Sequence, residues 1–225
     1  MGTWLRLVLA ILLGLSAAVC FAFRNPVAGA IAAAMATVVV IWVVLGRKQP
    51  VLKVTRTEIT LAIADAEGRE TSVAKVQEIT PVGKPLVDIR DRSLFTKGRV
   101  DDIEVLPGVV AERMALGKYN IAKVVFEPPL EAGKTTTRRV TYKIYDGFIE
   151  DDVSLMFVGD YPTDRLSLRV DFPAARRPRR IRAFVREGKK PDRPADATLS
   201  PDGGHATWTV ADVKVGVQYH FEWTW

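Results

Sequence analysis

The sequence contains few of the residues that covalent cross-links and catalytic sites require. Its one cysteine is Cys20, and a single cysteine excludes an intramolecular disulfide and a cysteine-based zinc site. The chain also has no Gly-x-Ser-x-Gly nucleophile motif, no phosphate-binding glycine loop, no His-Glu-x-x-His zinc motif and no dinucleotide-binding fingerprint. We therefore expect a protein that is not an enzyme and that uses no metal and no cofactor.

The histidines and the acidic clusters also lack the spacing of a metal or catalytic site. His205 falls in a predicted turn and His220 on the polar face of the last predicted strand, so we expect both to be ordinary surface residues. The carboxylates at 101–104 and 150–152 offer the oxygen ligands that calcium prefers, but no Asp-x-Asp-x-Asp-Gly loop accompanies them. We predict solvated turns there, with a calcium site as the alternative.

Charged residues are almost absent from two long stretches near the N-terminus. Residues 4–23 and 27–46 are apolar, Arg6 is the one charged residue in either, and a three-residue polar turn at 24–26 separates them. A bilayer core of roughly 30 Å is crossed by about 20 apolar residues in a helix. The sequence therefore predicts a transmembrane helical hairpin in residues 1–49. A cleaved signal peptide is the alternative for the first stretch.

Basic residues flank this hairpin on one side. Arg6 precedes the first span, Arg47 and Lys48 follow the second, and Arg24 alone occupies the turn. The positive-inside rule then predicts that both termini lie in the cytoplasm. These four basic residues, with no acidic residue among the first fifty, supply most of the formal net charge of +6. The basic balance is therefore no sign of specific nucleic-acid binding.

Small residues recur at four-residue spacing in both predicted spans. They are Ala10, Gly14 and Ala18 in the first and Gly29 and Ala33 in the second. Such spacing lets helix backbones approach closely. Packing within one hairpin and a homo-oligomer formed by several hairpins both remain open.

Residues 50–225 alternate between apolar and polar residues in short segments separated by turns. One segment has Ile59, Leu61 and Ile63 on a single face. This pattern predicts an all-β, antiparallel, sandwich-like domain. The segment 146–152 is a possible division between two lobes, and 111–116 is predicted to form at most a short helix. The last strand shows the clearest alternation, with Val217, Tyr219, Phe221, Trp223 and Trp225 on one side.

The most basic part of the soluble region is residues 176–193, with nine basic residues and two acidic ones. In a strand, Arg180, Arg182 and Arg186 would project outward as a row. Such a row can remain solvated, contact anionic lipid headgroups, or bind the phosphates of a nucleotide or another anionic partner. These possibilities remain open, and the three arginines are the candidate binding residues.

The layout of the whole chain resembles a known group of bacterial proteins. A two-span hairpin with almost no outer loop, followed by a cytoplasmic β domain, is similar to the two-transmembrane, β-strand-rich effectors of anti-phage conflict systems, which include receptors for cyclic dinucleotides. The stretches 161–173 and 216–223 are also similar to uncharacterised β-rich modules of bacterial signalling and defence proteins. The resemblance implies a location in the bacterial inner membrane, with a β domain that senses a ligand and a hairpin that responds.

Two functions follow as expectations. The first is a membrane-anchored, non-enzymatic binding or signalling module that recognises a partner or a small anionic ligand on the cytoplasmic side. The alternative is a ligand-triggered effector whose clustered hairpins disrupt the membrane. Its expected partners are the lipid bilayer, an anionic lipid or nucleotide, and further copies of the chain.

Overall fold

A computed structural model describes residues 52–92, 97–116 and 119–225. These residues form fourteen β-strands and no helix. The strands are β1 (Leu52–Ile63), β2 (Glu70–Pro81), β3 (Leu86–Arg92), β4 (Arg99–Leu106), β5 (Val109–Leu116), β6 (Tyr119–Leu130), β7 (Thr136–Tyr145), β8 (Asp152–Val158), β9 (Thr163–Asp171), β10 (Arg180–Arg186), β11 (Arg193–Ala195), β12 (Thr198–Leu199), β13 (His205–Val213) and β14 (Gln218–Thr224).

The predicted hairpin lies outside the described residues. Among the residues described, no helix is long and apolar enough to cross a membrane. The two spans, their orientation and the small-residue faces at 10–18 and 29–33 therefore stay predictions.

The strands form three sheets. Seven strands make the largest sheet, in the order β12-β13-β9-β1-β2-β7-β4, four make the second, in the order β11-β10-β14-β8, and three make the third, in the order β3-β6-β5. The all-β prediction is thus confirmed for the described residues. The antiparallel prediction is wrong for one pair, since β1 runs parallel to β9 from Val54 opposite Thr163 to Ala62 opposite Asp171. Seven strands separate β1 from β9 along the chain, so no tight hairpin fixes their relative direction.

The first hairpin forms as the alternation predicts. Strands β1 and β2 pair antiparallel from Leu52 to Ile63, and Ile59 and Leu61 are fully buried. Gly68 in the connecting turn has a positive φ of 74°, a backbone conformation that glycine adopts without steric cost.

The main core lies between the seven-stranded and four-stranded sheets. The ring of Trp223 is central to it, with centroids 5.3 Å from Phe148, 5.6 Å from Phe172 and 5.8 Å from Trp225. Large aromatic side chains each bury roughly 150–250 Å² in such a core. The predicted inward face of the last strand is confirmed, because Val217, Tyr219, Phe221, Trp223 and Trp225 are each 6% exposed or less.

A second apolar cluster joins the three-stranded sheet to one end of the seven-stranded sheet. Leu52, Val54 and Ile79 from β1 and β2 pack with Val124 and Phe126 from β6. The cluster brings β3, and the polar residues that it carries, close to β2 and β7.

Two further segments, residues 111–116 and 146–152, were the subject of predictions from the sequence. Residues 111–116 belong to strand β5 and form no helix, because pairing with β6 overrides any local helical preference. The seven-stranded sheet takes strands from both sides of residues 146–152, and Phe148 in that segment is fully buried. A division into two lobes there stays a prediction.

Candidate functional site

The candidate arginines lie on the outer face of the four-stranded sheet. Strand β10 pairs with β11 on one side and with β14 on the other. Its residues alternate, so Ala183 and Val185 are buried in the main core while Arg180, Arg182 and Arg186 face away from it. We call this outer surface the arginine face.

An aromatic pair that the sequence analysis missed lies in the middle of the arginine face. Phe184 and His220 are cross-strand partners, and their rings stack with centroids 4.6 Å apart and planes inclined by 5°. The guanidinium groups of Arg182 and Arg186 lie over the Phe184 ring at 4.7 Å and 5.4 Å. Such cation–π contacts hold the charged groups in place over the ring.

His220 is less exposed than predicted. Its place on the polar face of the last strand predicts a surface residue, but the side chain is only 8% exposed. The register of β10 and β14 causes the difference, because it sets the imidazole beside an aromatic ring that the arginines cover. Burial lowers the pKa of His220, and Arg186 lowers it further against the opposing effect of Asp192. The ring is therefore neutral at pH 7.

Several residues of the basic segment have structural partners. Arg186 forms a bidentate pair with Asp192, with Nε and Nη2 donating to the two carboxylate oxygens at 2.7 Å and 2.8 Å. Arg176 donates to the carbonyl oxygen of Ala66 at 3.2 Å and stacks over Trp225 at 4.6 Å. Arg177 donates to the carbonyl oxygen of Phe172 at 2.7 Å. These three arginines hold turns and strands in place.

Arg180 and Arg182 differ from these residues because neither forms an ion pair with any described residue. Both line a shallow groove of about 290 Å³ that crosses β10, β14 and β8. The outward side chains of the groove are Arg180, Arg182, Glu222, Thr224, Asp152 and Ser154.

The groove carries charges of both signs. Asp152 accepts a hydrogen bond from the Thr224 hydroxyl at 3.4 Å, and Glu222 accepts one from the Ser154 hydroxyl at 3.5 Å. Two guanidinium donors thus lie beside two carboxylate acceptors. The sequence analysis found the cations but not the acceptors, since only the pairing of β14 with β8 brings the carboxylates to this groove.

The structure shows a second polar site, which the sequence analysis also missed. Lys75 on β2, Asp91 on β3 and Arg138 on β7 are 5%, 8% and 1% exposed. Lys75 Nζ donates to one oxygen of Asp91 and Arg138 Nη2 donates to the other. We call these three residues the buried charge cluster.

Further hydrogen bonds extend the buried charge cluster. Arg138 Nη1 donates to Gln77 at 3.0 Å, and the amide of Gln77 donates to the Thr57 hydroxyl at 3.1 Å. Burial alone would raise the pKa of Asp91, but the charges of Lys75 and Arg138 outweigh it and hold the pKa below its ordinary value. Asp91 is therefore ionised at pH 7.

One signal in the sequence indicates this site. Lys75 falls at an inward position of the alternation in β2, between the buried residues Val73 and Ile79. A charged residue at an inward position is expected only where a partner neutralises it. The partner cannot be read from β2 alone, because Asp91 and Arg138 lie on other strands.

The acidic clusters also have partners on the surface. Asp101 pairs with Arg99 at 2.9 Å and with Arg113 at 3.1 Å. Within residues 52–92, 97–116 and 119–225, no three side chains of His, Cys, Asp or Glu come together as a metal-binding group.

No protein-family model matches this chain. Comparison with curated proteins also gives no match. Among solved structures, an M1 zinc metallopeptidase from Deinococcus radiodurans is 16% identical, with a TM-score of 0.40 over 77% of this chain and 42% of that one. A putative protease from Parabacteroides distasonis is 11% identical, with a TM-score of 0.44 over 78% and 40%. A putative nutrient binding protein from Legionella pneumophila is 12% identical, with a TM-score of 0.49 over 77% and 67%.

The chain thus spans about two fifths of the length of the metallopeptidase and of the protease. These likenesses are too distant to assign a function.

Proposed function

We propose that this protein is a membrane-anchored, non-enzymatic binding module that recognises a small acidic ligand on its arginine face. The observation that carries the proposal is the position of Arg180 and Arg182, which line one groove without an ion-pair partner among the described residues. Guanidinium groups form strong, directional hydrogen bonds to phosphate and carboxylate groups.

The groove limits the size of the ligand. Its volume of about 290 Å³ is at the lower end of the range for small-molecule sites, roughly 300–1,000 Å³. It therefore suits a phosphate or carboxylate headgroup better than an entire large molecule. Asp152 and Glu222 add acceptors, so a ligand that pairs its acidic group with hydroxyl or amine donors complements the groove on both sides.

Arg186 has a different role in this proposal. Its pairing with Asp192 connects strand β10 to the segment before β11, and its guanidinium lies over Phe184. It supports the arginine face and leaves direct contact with the ligand to Arg180 and Arg182.

Calorimetric titration of the full chain in neutral-lipid nanodiscs tests the proposal. The probes are inorganic phosphate, a nucleoside diphosphate and a short-chain phosphatidylglycerol, which separate a free phosphate from a nucleotide and from a lipid headgroup. We expect binding of at least one probe. The double variant Arg180→Gln/Arg182→Gln should weaken it by about tenfold or more, since each charge-assisted hydrogen bond contributes about 1.5–3 kcal/mol.

The matched control is the double variant Arg179→Gln/Lys189→Gln. It removes the same charge from the same segment, and neither residue lines the groove. Its affinity should stay within about twofold of the parent, because remote surface charges are screened by salt. Equal losses in both double variants, or no binding of any probe, would contradict the proposal.

The membrane anchor is tested separately from the ligand site. The predicted hairpin places residues 50–225 in the cytoplasm. Protease added to inside-out vesicles should then digest this region, whereas in cells with a permeabilised outer membrane it should be protected. Protection in the vesicles alone would reverse the orientation.

The effector function is the second candidate, and the small residues at 10–18 and 29–33 favour it. Ligand binding to the β domain would cluster the hairpins and perturb the bilayer. Induced expression should then cause depolarisation and growth arrest that disappear when residues 1–49 are deleted. Unchanged membrane potential on expression with ligand would leave the binding module as the function.

A further inference from the structure

The buried charge cluster has no part in the proposed function, and its charges do not balance. Two cations, Lys75 and Arg138, share the single carboxylate of Asp91. All three are less than 9% exposed. An unneutralised charge is costly where water is largely excluded. The cluster therefore requires a further negative charge.

The neighbouring ionisable groups do not supply it. Arg92 and Asp160 form their own pair at 3.2 Å, so they add no net charge. Arg90 also lines the space beside the cluster, but its side chain is exposed to solvent. The lining groups that are not exposed are therefore three cations and two carboxylates, and an excess of one positive charge remains.

A small cavity lies between the charged groups. It has a volume of about 20 Å³ and is lined by the whole buried charge cluster together with Tyr161 and Thr163. This is room for one water molecule or one monatomic ion of comparable size, since a water needs about 10–15 Å³.

Arg138 has a donor left over beside this cavity. Its Nη1 and Nη2 bind Gln77 and Asp91, but its Nε has no hydrogen-bond partner among the described residues. Arg138 is 1% exposed, so bulk water does not reach this N–H. Buried donors without a partner are rare in folded proteins and call for an unseen acceptor.

We propose that this cavity binds one small monovalent anion of about the size of chloride. The Nε–H of Arg138 and the ammonium group of Lys75 are its donors, and both groups carry donors only. An anion supplies the missing acceptor and cancels the excess charge in one step. A water molecule would satisfy the N–H group but leave the charge uncompensated. The bound anion connects Lys75 on β2 to Arg138 on β7.

Thermal unfolding of the full chain in detergent, at constant ionic strength, tests the proposal. Gluconate is too large for the cavity and provides the reference, and it is replaced stepwise by chloride, bromide or iodide. Because a ligand that binds only the folded state stabilises it by mass action, the melting temperature should rise and saturate with chloride and bromide. Iodide should have a smaller effect, because the cavity limits the ion's size.

Two variants should move the chloride dependence in opposite directions. Arg138→Gln removes the excess charge and the Nε donor, so the dependence should disappear. Asp91→Asn raises the excess charge by one, so the apparent dissociation constant for chloride should fall by about tenfold or more. The control Arg179→Gln/Lys189→Gln changes exposed residues that line neither the cavity nor the groove of the arginine face, and it should leave the dependence unchanged.

Bromide in crystals of the parent protein gives an answer that does not rely on any variant folding. An anomalous peak in contact with Arg138 Nε and Lys75 Nζ is the expected result. The proposal would be overturned if the melting temperature does not depend on which anion is present, or if the cavity shows no anomalous peak in saturating bromide. Either result would assign the space to water. Either result leaves the ligand site on the arginine face untouched.

Discussion

The ring of Phe184 stacks on the imidazole of His220, with centroids 4.6 Å apart and planes inclined by 5°. The pair lies beneath the guanidinium groups of Arg182 and Arg186. It therefore links the stability of the four-stranded sheet to the arginines of the candidate ligand site. The burial of the imidazole also lowers the pKa of His220.

Acidification should destabilise the protein through His220. Burial and Arg186 depress its folded pKa below the ordinary value of 6.5, with Asp192 opposing. Below pH 6.5 the unfolded chain binds the proton more readily, so the free energy of unfolding falls until the pH drops below the folded pKa. His220→Phe keeps the stack and removes the titration. Its stability should therefore fall less than that of the parent between pH 7 and pH 5.

The other histidine provides the control for this measurement. His205→Phe should retain the acid sensitivity of the parent in chemical denaturation at each pH. If the free energy of unfolding falls equally with pH in the parent and in His220→Phe, carboxylates alone cause the loss of stability.

Gly68→Ala should destabilise the protein more than Gly133→Ala. Both glycines have positive φ, 74° and 77°, so both substitutions incur backbone strain of about 1 kcal/mol or more. A Cβ at position 68 would also overlap the carbonyl oxygen of Phe148, whereas one at position 133 meets nothing within 4 Å. Overpacking adds roughly 1–3 kcal/mol.

Urea denaturation of the two glycine variants measures this difference directly. Equal losses would mean that the turn at Gly68 moves away from Phe148 without cost.

Asp91→Asn should lower the free energy of unfolding by about 3–5 kcal/mol in chloride-free buffer, because it leaves Lys75 and Arg138 buried without their counter-charge. The surface pair of Lys134 and Glu131, at 3.3 Å and largely exposed, is the comparison. Glu131→Gln should cost no more than about 1 kcal/mol. Guanidinium salts add chloride, so urea is the denaturant for both.

The triple variant Lys75→Met/Asp91→Leu/Arg138→Leu separates charge from packing at the same site. Replacing a buried ionic triad with apolar residues often leaves the stability of a protein unchanged or increases it. We expect the triple variant to be more stable than Asp91→Asn. A lower stability would show that the hydrogen bonds to Gln77 and Thr57 dominate the site.

Trp225→Ala should cost about 3–5 kcal/mol, as is usual for large buried aromatic residues. The indole N–H of Trp225 donates to the carbonyl oxygen of Phe148 at 3.1 Å, and its ring packs edge-on against Phe172 at 5.7 Å. The control Val215→Ala, at a side chain that is 57% exposed, should change stability by no more than about 0.5 kcal/mol. Thermal unfolding monitored by near-UV circular dichroism detects both effects.

Much of the fold could be predicted from local patterns. Alternation identified the buried faces of β1 and β14, since a strand that packs one face on a core must place apolar residues at every second position. The same alternation places Lys75 at an inward position of β2, but the sequence analysis missed the buried charge cluster because the partners of Lys75 belong to strands that the local pattern does not connect.

The arginine face shows what the alternation of residues predicts and what it does not. The alternation placed Arg180, Arg182 and Arg186 on one face, but it did not distinguish Arg186, which binds Asp192, from the two arginines of the groove. That distinction depends on the β10–β11 pairing and on the conformation of the residues between these strands.

The sequence by itself determined the composition of the chain, the apolar stretches before residue 47, the all-β character of the region after them and the faces that its strands bury. These follow from properties of residues close together in the chain. Only the tertiary structure decided the parallel pairing of β1 with β9, the burial of His220, the carboxylates beside Arg180 and Arg182, and the buried charge cluster. Each depends on which distant strands become neighbours and in what register, and a one-residue shift would turn every side chain of a strand to the opposite face.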